Sequence, residues 1–434
     1  MFKMNKKIKG SKNLNVPNKG EQSQTCLGSA ERKEHLHKEN VPNLRFPEFS
    51  GEWGKTKFEN IVSLQRGSSP RPIIEYITKS EDGVNWVKIG DMPASGRIVT
   101  RTEEKITREG AKKSRHVKIG DLILSNSMSF GQPYIMGIEG YIHDGWFVLR
   151  NYEKSLVRDY LCNLLISPSI QQQYKRLAAG GVVQNISSEL VNSVIVSVPT
   201  KTEQKKIAEF ISYIDDRIAT QIKIIEKLES LIKGIAETHY SQCECTKQVR
   251  ISELGEAFTT MNMSKEDLSE EGNECVLYGE LFTTYGCVIK DVKSRTHIST
   301  DKATTSQSND LLFPASTTVD AMSLIAPSAI CKEGVILGGD LFGVHVNKNY
   351  NNEYLSYLIN YIYKSKLARY AQGSTIIHLH YSDIKNATLL LPTIEEQNYL
   401  AHLMRGVEEK INIEKDMLSK LYSQKAYLLS NLFI

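Results

Sequence analysis

Two long stretches of this 434-residue chain carry an apolar residue at every third or fourth position. In the first, Ile207, Ile211, Ile214, Ile218, Ile222, Ile225, Leu228, Ile232 and Ile235 cover 28 residues in eight steps, a mean of 3.5. That is the coiled-coil period, and it predicts a helix whose apolar seam faces a partner helix. The second stretch follows more loosely, through Leu400, Leu403, Val407, Ile411, Leu418, Leu421, Leu428 and Leu432. Each seam needs a partner, and the other helix is the nearest available. Elsewhere the pattern shortens. "HVKIGDLILSNS" and "GVILGGDLFGVHV" read as strands and turns, and "DYLCNLLISPSIQQQYKRLA" as helical segments broken at Pro168.

Both seams open on nearly the same phrase, "PTKTEQ" at 199–204 and "PTIEEQ" at 392–397. Thr200 with Glu203, and Thr393 with Glu396, form the T-x-x-E pattern of a capping box, in which the glutamate reaches back to the cap amide. Pro199 and Pro392 stop the apolar runs "VIVSV" and "TLLL" just ahead of each helix. The likeness extends upstream. Residues 178–211 align without gaps with 371–404, pairing Gly180 with Gly373 and Ile186 with Leu379. "WVKIGDM" answers "CVLYGEL", "GDLIL" answers "NDLLF", and "DYLCNLLI" answers "EYLSYLIN", with spacings between 189 and 194 residues. Two diverged copies of one unit explain this. The expected organisation is a polar, lysine-rich mobile tail (1–40), a globular domain (41–198), a long helix (199–240), a second globular domain (241–391) and a second long helix (392–434).

Composition adds a soluble class: 40% hydrophobic and 24% charged residues. No apolar run is long enough for a membrane span, and no secretory signal is legible. Seven scattered cysteines without framework spacing fit a reducing, cytoplasmic setting. The net charge of +4 hides a polarity: residues 51–198 hold 19 basic and 15 acidic groups, whereas 241–391 hold 13 and 17. A non-specific polyanion binder would be basic throughout, so any grip on nucleic acid must come from placed residues or partners.

Catalytic chemistry is hard to find. "WGKT" ends like a phosphate-binding loop, but the first glycine of that motif would fall at Phe49. G-x-G-x-x-G, H-E-x-x-H and G-x-S-x-G are absent, no two prolines are adjacent, and "CEC" at 243–245 has no second metal-binding pair at finger spacing. What recurs instead is a set of polar, turn-rich stretches: "LQRGSSPRP", "SNSMSFGQP", "GGVVQNIS", "PASTTVDAM" and "GSTIIHLH". Their side chains are the kinds that read base edges and hold phosphates. The candidate DNA contacts are Arg66, Ser68, Ser69, Arg71, Asn126, Ser127, Ser129, Gln132, Gln184 and Asn185, then Ser316, Thr317, Thr318, Thr375, His378 and His380. On the residues alone, a coiled-coil adaptor with two protein-binding domains stays open.

Over roughly residues 41–434 the order of domain, P-x-x-x-E-Q-capped helix, domain and second capped helix resembles the specificity subunit of type I restriction–modification systems. "NLRFPEFSGEW" at 43–53 is similar to the start of such subunits. The resemblance implies an α+β protein with two similar mixed α/β target-recognition domains, their helices paired as an antiparallel coiled coil with pseudo-twofold symmetry. It implies a non-catalytic chain with no cofactor of its own that reads bipartite double-stranded DNA, one half-site per domain. It implies two methylase subunits and restriction subunits as partners, which carry S-adenosylmethionine, ATP and Mg. The departures are polar substitutions in the second seam, Lys415 opposite Ile222 and Gln424 opposite Leu231, and a tail outside the resemblance.

Overall fold

A computed structural model describes residues 3–4, 40–93, 96–126, 131–178, 186–242 and 247–434. Most of the predicted tail therefore lies outside the described residues. The chain packs as two compact units, Met1–Thr220 with Leu418–Ile434, and Gln221–Met417.

The first unit is built on a five-stranded sheet of β1 (Ser63–Arg66), β2 (Ile98–Val99), β3 (Leu122–Ser125), β4 (Pro133–Met136) and β5 (Trp146–Arg150), in the order β1-β5-β3-β4-β2. The second has β6 (Gly255–Thr259), β7 (Val288–Ile289), β8 (Asp310–Pro314), β9 (Ser328–Ile330) and β10 (Leu341–Val346), in the order β6-β10-β8-β9-β7. The orders are the same, and in both the last pair alone is parallel. The duplication read in the sequence is thus a duplicated topology. Central strands are apolar on both faces, as their near-continuous runs require. Ile123, Trp146 and Val148 pack with Val87, Val99 and Met136 in the first unit, and Leu312, Ile330, Val276 and Leu337 together in the second. A second sheet accompanies each. The first unit's has an edge strand, Arg115–Val117, where the second has the single antiparallel bridge of Thr305 to Ile336.

The two seams are the helices α1 (Lys201–Gln242) and α2 (Ile394–Asn431). In each unit, part of one runs beside part of the other in antiparallel sense. Lys425 pairs with Asp215 in the first unit, and Glu229 with Lys415 and Gln221 with Glu414 in the second. Ile207, Ile211, Ile214, Ile218, Ile225, Leu400, Ile411 and Leu421 are buried, and Leu228, Val407 and Leu418 half-buried. Leu403 departs from the expectation: it is 40% exposed, while Met404 is 2% exposed. Leu400 and Ala401 belong to the core of their own unit, so the inward face runs 400, 401, 404 and turns Leu403 outward. The seam also holds a pair that the apolar pattern passed over. Gln221 and Glu414, 6% exposed each, occupy equivalent positions of the two copies and hydrogen-bond to one another. A buried polar pair in a coiled-coil seam fixes register at some cost in stability.

The repeated phrase before each helix does more than cap. Thr200 accepts from the Glu203 amide at 3.3 Å, and Thr393 from the Glu396 amide at 3.3 Å. Only the second box closes, with the Thr393 amide donating to Glu396 at 3.2 Å. The first departs from the expected box because Glu203, 1% exposed, takes a bidentate bond from Arg45 at 2.8 Å and one from the Trp53 indole at 3.3 Å. The following glutamine is the staple common to both copies. Gln204 accepts from Val157 N at 2.8 Å and donates to Ser155 O and Pro199 O. Gln397 accepts from Asn351 N at 3.0 Å and donates to Pro392 O. A buried amide with both ends satisfied ties the helix start to its domain.

In the second unit, α2 is also tied down through Glu408, which accepts from Cys287 N at 2.8 Å and Tyr357 Oη at 2.5 Å. Burial raises its carboxyl above the ordinary 4.5, outweighing those two donors. The folded unit therefore holds this proton more tightly than the unfolded chain, and Glu408's contribution to stability falls as pH rises from 4.5 through the raised value. Glu408→Gln is expected to remove that decline. Thiol labelling of buried Cys287 across denaturant at several pH values checks it, and an unchanged pH slope would refute it.

Candidate nucleic-acid interface

In the first unit, segments far apart in sequence meet at one end of the main sheet. The turn after β1 presses against the 143–145 turn before β5, and glycine is what permits it. A Cβ on Gly67 would lie 2.0 Å from the His143 carbonyl oxygen. Asp144 is the meeting point. Its carboxylate accepts from the Ser69 hydroxyl at 2.8 Å and from Arg71 at 3.1 Å. Its carbonyl accepts from Arg66 Nε at 3.1 Å and from Asn126 Nδ2 at 2.9 Å. Beside it, Ser68 donates to the Lys113 carbonyl at 3.0 Å and Arg115 to the Arg66 carbonyl at 3.2 Å. Arg66, Arg71, Lys113 and Arg115 are all exposed, so four cations surround the Asp144 carboxylate on this face.

Partial burial pushes the Asp144 carboxyl upward, but the Ser69 hydroxyl, the backbone donor, His143 and Arg71 outweigh it and hold it below the ordinary range. Burial pulls His143 below its ordinary value, against the opposing pull of Asp144. The Gly145 amide donates to His143 Nδ1 at 2.7 Å, which leaves the ring proton of the neutral form on Nε2.

The second unit builds the same place from other residues. Thr260 Oγ1 donates to the Gly339 carbonyl at 2.9 Å, the carbonyl equivalent to the one of Asp144 that accepts from Arg66, although the donor stands one residue further along the strand. Asn126 and Ala315 correspond, since their amides donate to Gly145 O and Asp340 O and their carbonyls accept from Ile186 and Leu379. Here Thr259, Thr260, Asn262, Asp340, His380 and Ser382 line an open cleft of about 740 Å³. Ser316 and Thr317 pair antiparallel with His378 and Ile377 beside it. Reciprocal bonds between Gln372 and His378, at 2.9 and 2.7 Å, close a loop that displays exposed Thr375. Gly373 (φ +121°) makes the closure possible, because a Cβ there would lie 2.0 Å from Ile376 O.

The sequence candidates therefore divide. Arg66, Ser68, Ser69 and Arg71 gather on one face. Thr317, Thr318, Thr375, His378 and His380 are at least partly open to solvent. Asn126 is 3% and Ser316 8% exposed. Asn126 has its side-chain Nδ2 and both main-chain groups engaged and helps hold the loop. Gln132 is half-buried, its main-chain N–H donating to Ser125 Oγ. Ser127, Ser129, Gln184 and Asn185 lie outside the described residues. Asp144, Lys113, Arg115, Thr260, Asn262 and Asp340 were not anticipated. The Asp-Gly pair at 144–145 is a turn signal that could have marked the central one, and here the turn joins strands of two different sheets. Among the described residues, no group of three or more His, Cys, Asp or Glu side chains could hold a metal ion, and no helix is long and apolar enough to cross a membrane.

A duplicated α+β unit with a polar, turn-built face and a long helix after each copy defines a paired recognition scaffold. The family model for the type I restriction modification DNA specificity domain matches it twice, at residues 51–230 and 244–422. The chain belongs to the type I restriction–modification specificity family, whose subunits are non-catalytic. Over 423 residues it is 22% identical to a putative type I restriction enzyme MjaX specificity subunit of Methanocaldococcus jannaschii, covering 88% of this chain and 93% of that one. It is 24% identical to the MjaIX specificity subunit of the same organism over 185 residues, 42% of each chain. Its fold resembles the crystal structure of the type I S subunit from M. genitalium, with a TM-score of 0.55, 16% identity and coverage of 91% and 99%. It also resembles a chain from a structure describing assembly and conformational transition of the type I R-M system, with a TM-score of 0.54, 13% identity and coverage of 87% and 96%.

Proposed function

We propose that this chain is the specificity subunit that reads a bipartite DNA target, residues 41–198 taking one half-site and 241–391 the other. It directs two methylase subunits and the restriction subunits to that target in the cytoplasm. S-adenosylmethionine, ATP and Mg are held by those partners. The observation that carries the reading is the pairing of one strand order with two different polar faces. One topology repeated gives two equivalent recognition platforms, and different residues on each give two different half-sites. Apolar side chains left open on the helices, Tyr213, Tyr399 and Ile413 at 57, 69 and 57% exposure, supply area for partner subunits.

The test is a methylome. Co-expression with a methylase subunit in an unmethylated host, followed by single-molecule sequencing, is expected to yield one bipartite adenine-methylated motif that disappears without this chain. Exchanging residues 41–198 for those of a relative is expected to change one half of the motif only. Association of the two proteins with no motif would favour an adaptor instead.

A further inference from the structure

We propose that Asp144 is a positioning residue for base reading by the first unit, a role that rests on the DNA-reading function above. Arg66, Ser69 and Arg71 come from one segment and Asn126 from another, and all four hydrogen-bond to this one residue. The two halves of Asp144 have different standing. Its carbonyl, which receives Arg66 and Asn126, has a counterpart in the second unit, where the Gly339 carbonyl receives Thr260. That half belongs to the shared scaffold. The carboxylate has no counterpart, because the equivalent residue is glycine. What it holds, the Ser69 hydroxyl and the Arg71 guanidinium, is particular to the first half-site.

A carboxylate on a face turned to DNA weakens attraction to every sequence alike, since the phosphate charge is the same everywhere. Its benefit must then lie in discrimination. An exposed arginine loses much rotamer freedom when it docks on a base edge, and a partner that restricts it beforehand lowers that cost. Arg71 is 76% exposed along its side chain and Asp144 42%, so both can be reached by a base edge while paired. Asp144 also presents its second oxygen to Ser69, which fixes the carboxylate plane and with it the direction from which Arg71 approaches.

The experiment uses the full chain assembled with modification subunits. It measures binding to a duplex carrying the recovered motif, to duplexes with single changes in either half, and to a scrambled duplex. Asp144→Ala is expected to lower discrimination roughly 5–150-fold, the range that one base contact supports. The loss should fall at positions of one half-site, with scrambled-duplex binding unchanged or tighter. In an Arg71→Ala background, Asp144→Ala should cost nothing further, because its effect passes through Arg71. Asp144→Asn, which keeps an acceptor for Ser69 but not the charge, should fall between wild type and alanine, and it decides the matter if the alanine variant unfolds. A loss that adds in full to that of Arg71→Ala would overturn the proposal and make Asp144 a direct contact, for instance to a cytosine amino group. Equal change on all duplexes would overturn it too. Failure of the wild-type complex to prefer any duplex would instead refute DNA reading itself.

Discussion

Glu203→Ala is expected to cost the first unit about 3–5 kcal/mol, the penalty for leaving a buried charge without its partner. The mutation strands Arg45, whose side chain is 14% exposed, and unpairs the Trp53 indole. Arg45 would keep only its bonds to the carbonyls of Gly51 and Ser50, which offer no countercharge. The repeat provides an internal control. Glu396 occupies the same place in the second copy but serves only its cap, so Glu396→Ala should cost about 0.5–2 kcal/mol. All three tryptophans, Trp53, Trp86 and Trp146, fall in the first unit. Intrinsic fluorescence in urea therefore follows that unit alone, and circular dichroism follows both. Equal losses for the two substitutions would show that Arg45 and Glu203 contribute no more than an ordinary cap.

The second large effect concerns salt. Each phosphate contact removed should lower the slope of log affinity against log salt by about 0.9. Replacing Arg66, Lys113 and Arg115 together by alanine should then reduce the salt sensitivity between 50 and 200 mM about forty-fold. The corresponding face of the second unit has Thr260, Asn262 and His380 around its cleft, and their joint replacement should leave the slope as it was while relaxing the second half-site. This division predicts that the first unit anchors and the second selects largely through uncharged donors and acceptors. Titrations at several salt concentrations decide it. Equal slope changes from the two triple variants would refute the division.

How far the sequence reached is uneven, and the reasons are physical. Periodicity and the capped phrases located both helices because helical burial imposes a regular spacing that survives divergence. Polar seam positions broke that regularity. Gln221 and Glu414 fall outside the apolar spacing because they satisfy each other rather than an apolar face, and the inward place beside Leu403 belongs to its neighbour Met404. In the first unit, the stretch holding Arg66, Ser69 and Arg71 is legible as a polar turn because turn-forming residues flank them. Asp144 was not, since its importance lies in partners 18 to 78 residues away that only folding brings together. Asn126 shows the opposite case: its chemistry suits a base contact, and three hydrogen bonds inside the loop, which the sequence does not reveal, engage it.

The helix halves have a consequence for synthesis. Residues 418–434 pack in the first unit, where Leu428, Leu432 and Phe433 are buried and the Phe433 ring lies 5.3 Å from that of Tyr160. A ribosome would finish the whole second unit before releasing the segment that completes the first. The first unit thus stays open while the second is made, with the wall around Tyr160 uncovered until residues 418–434 emerge.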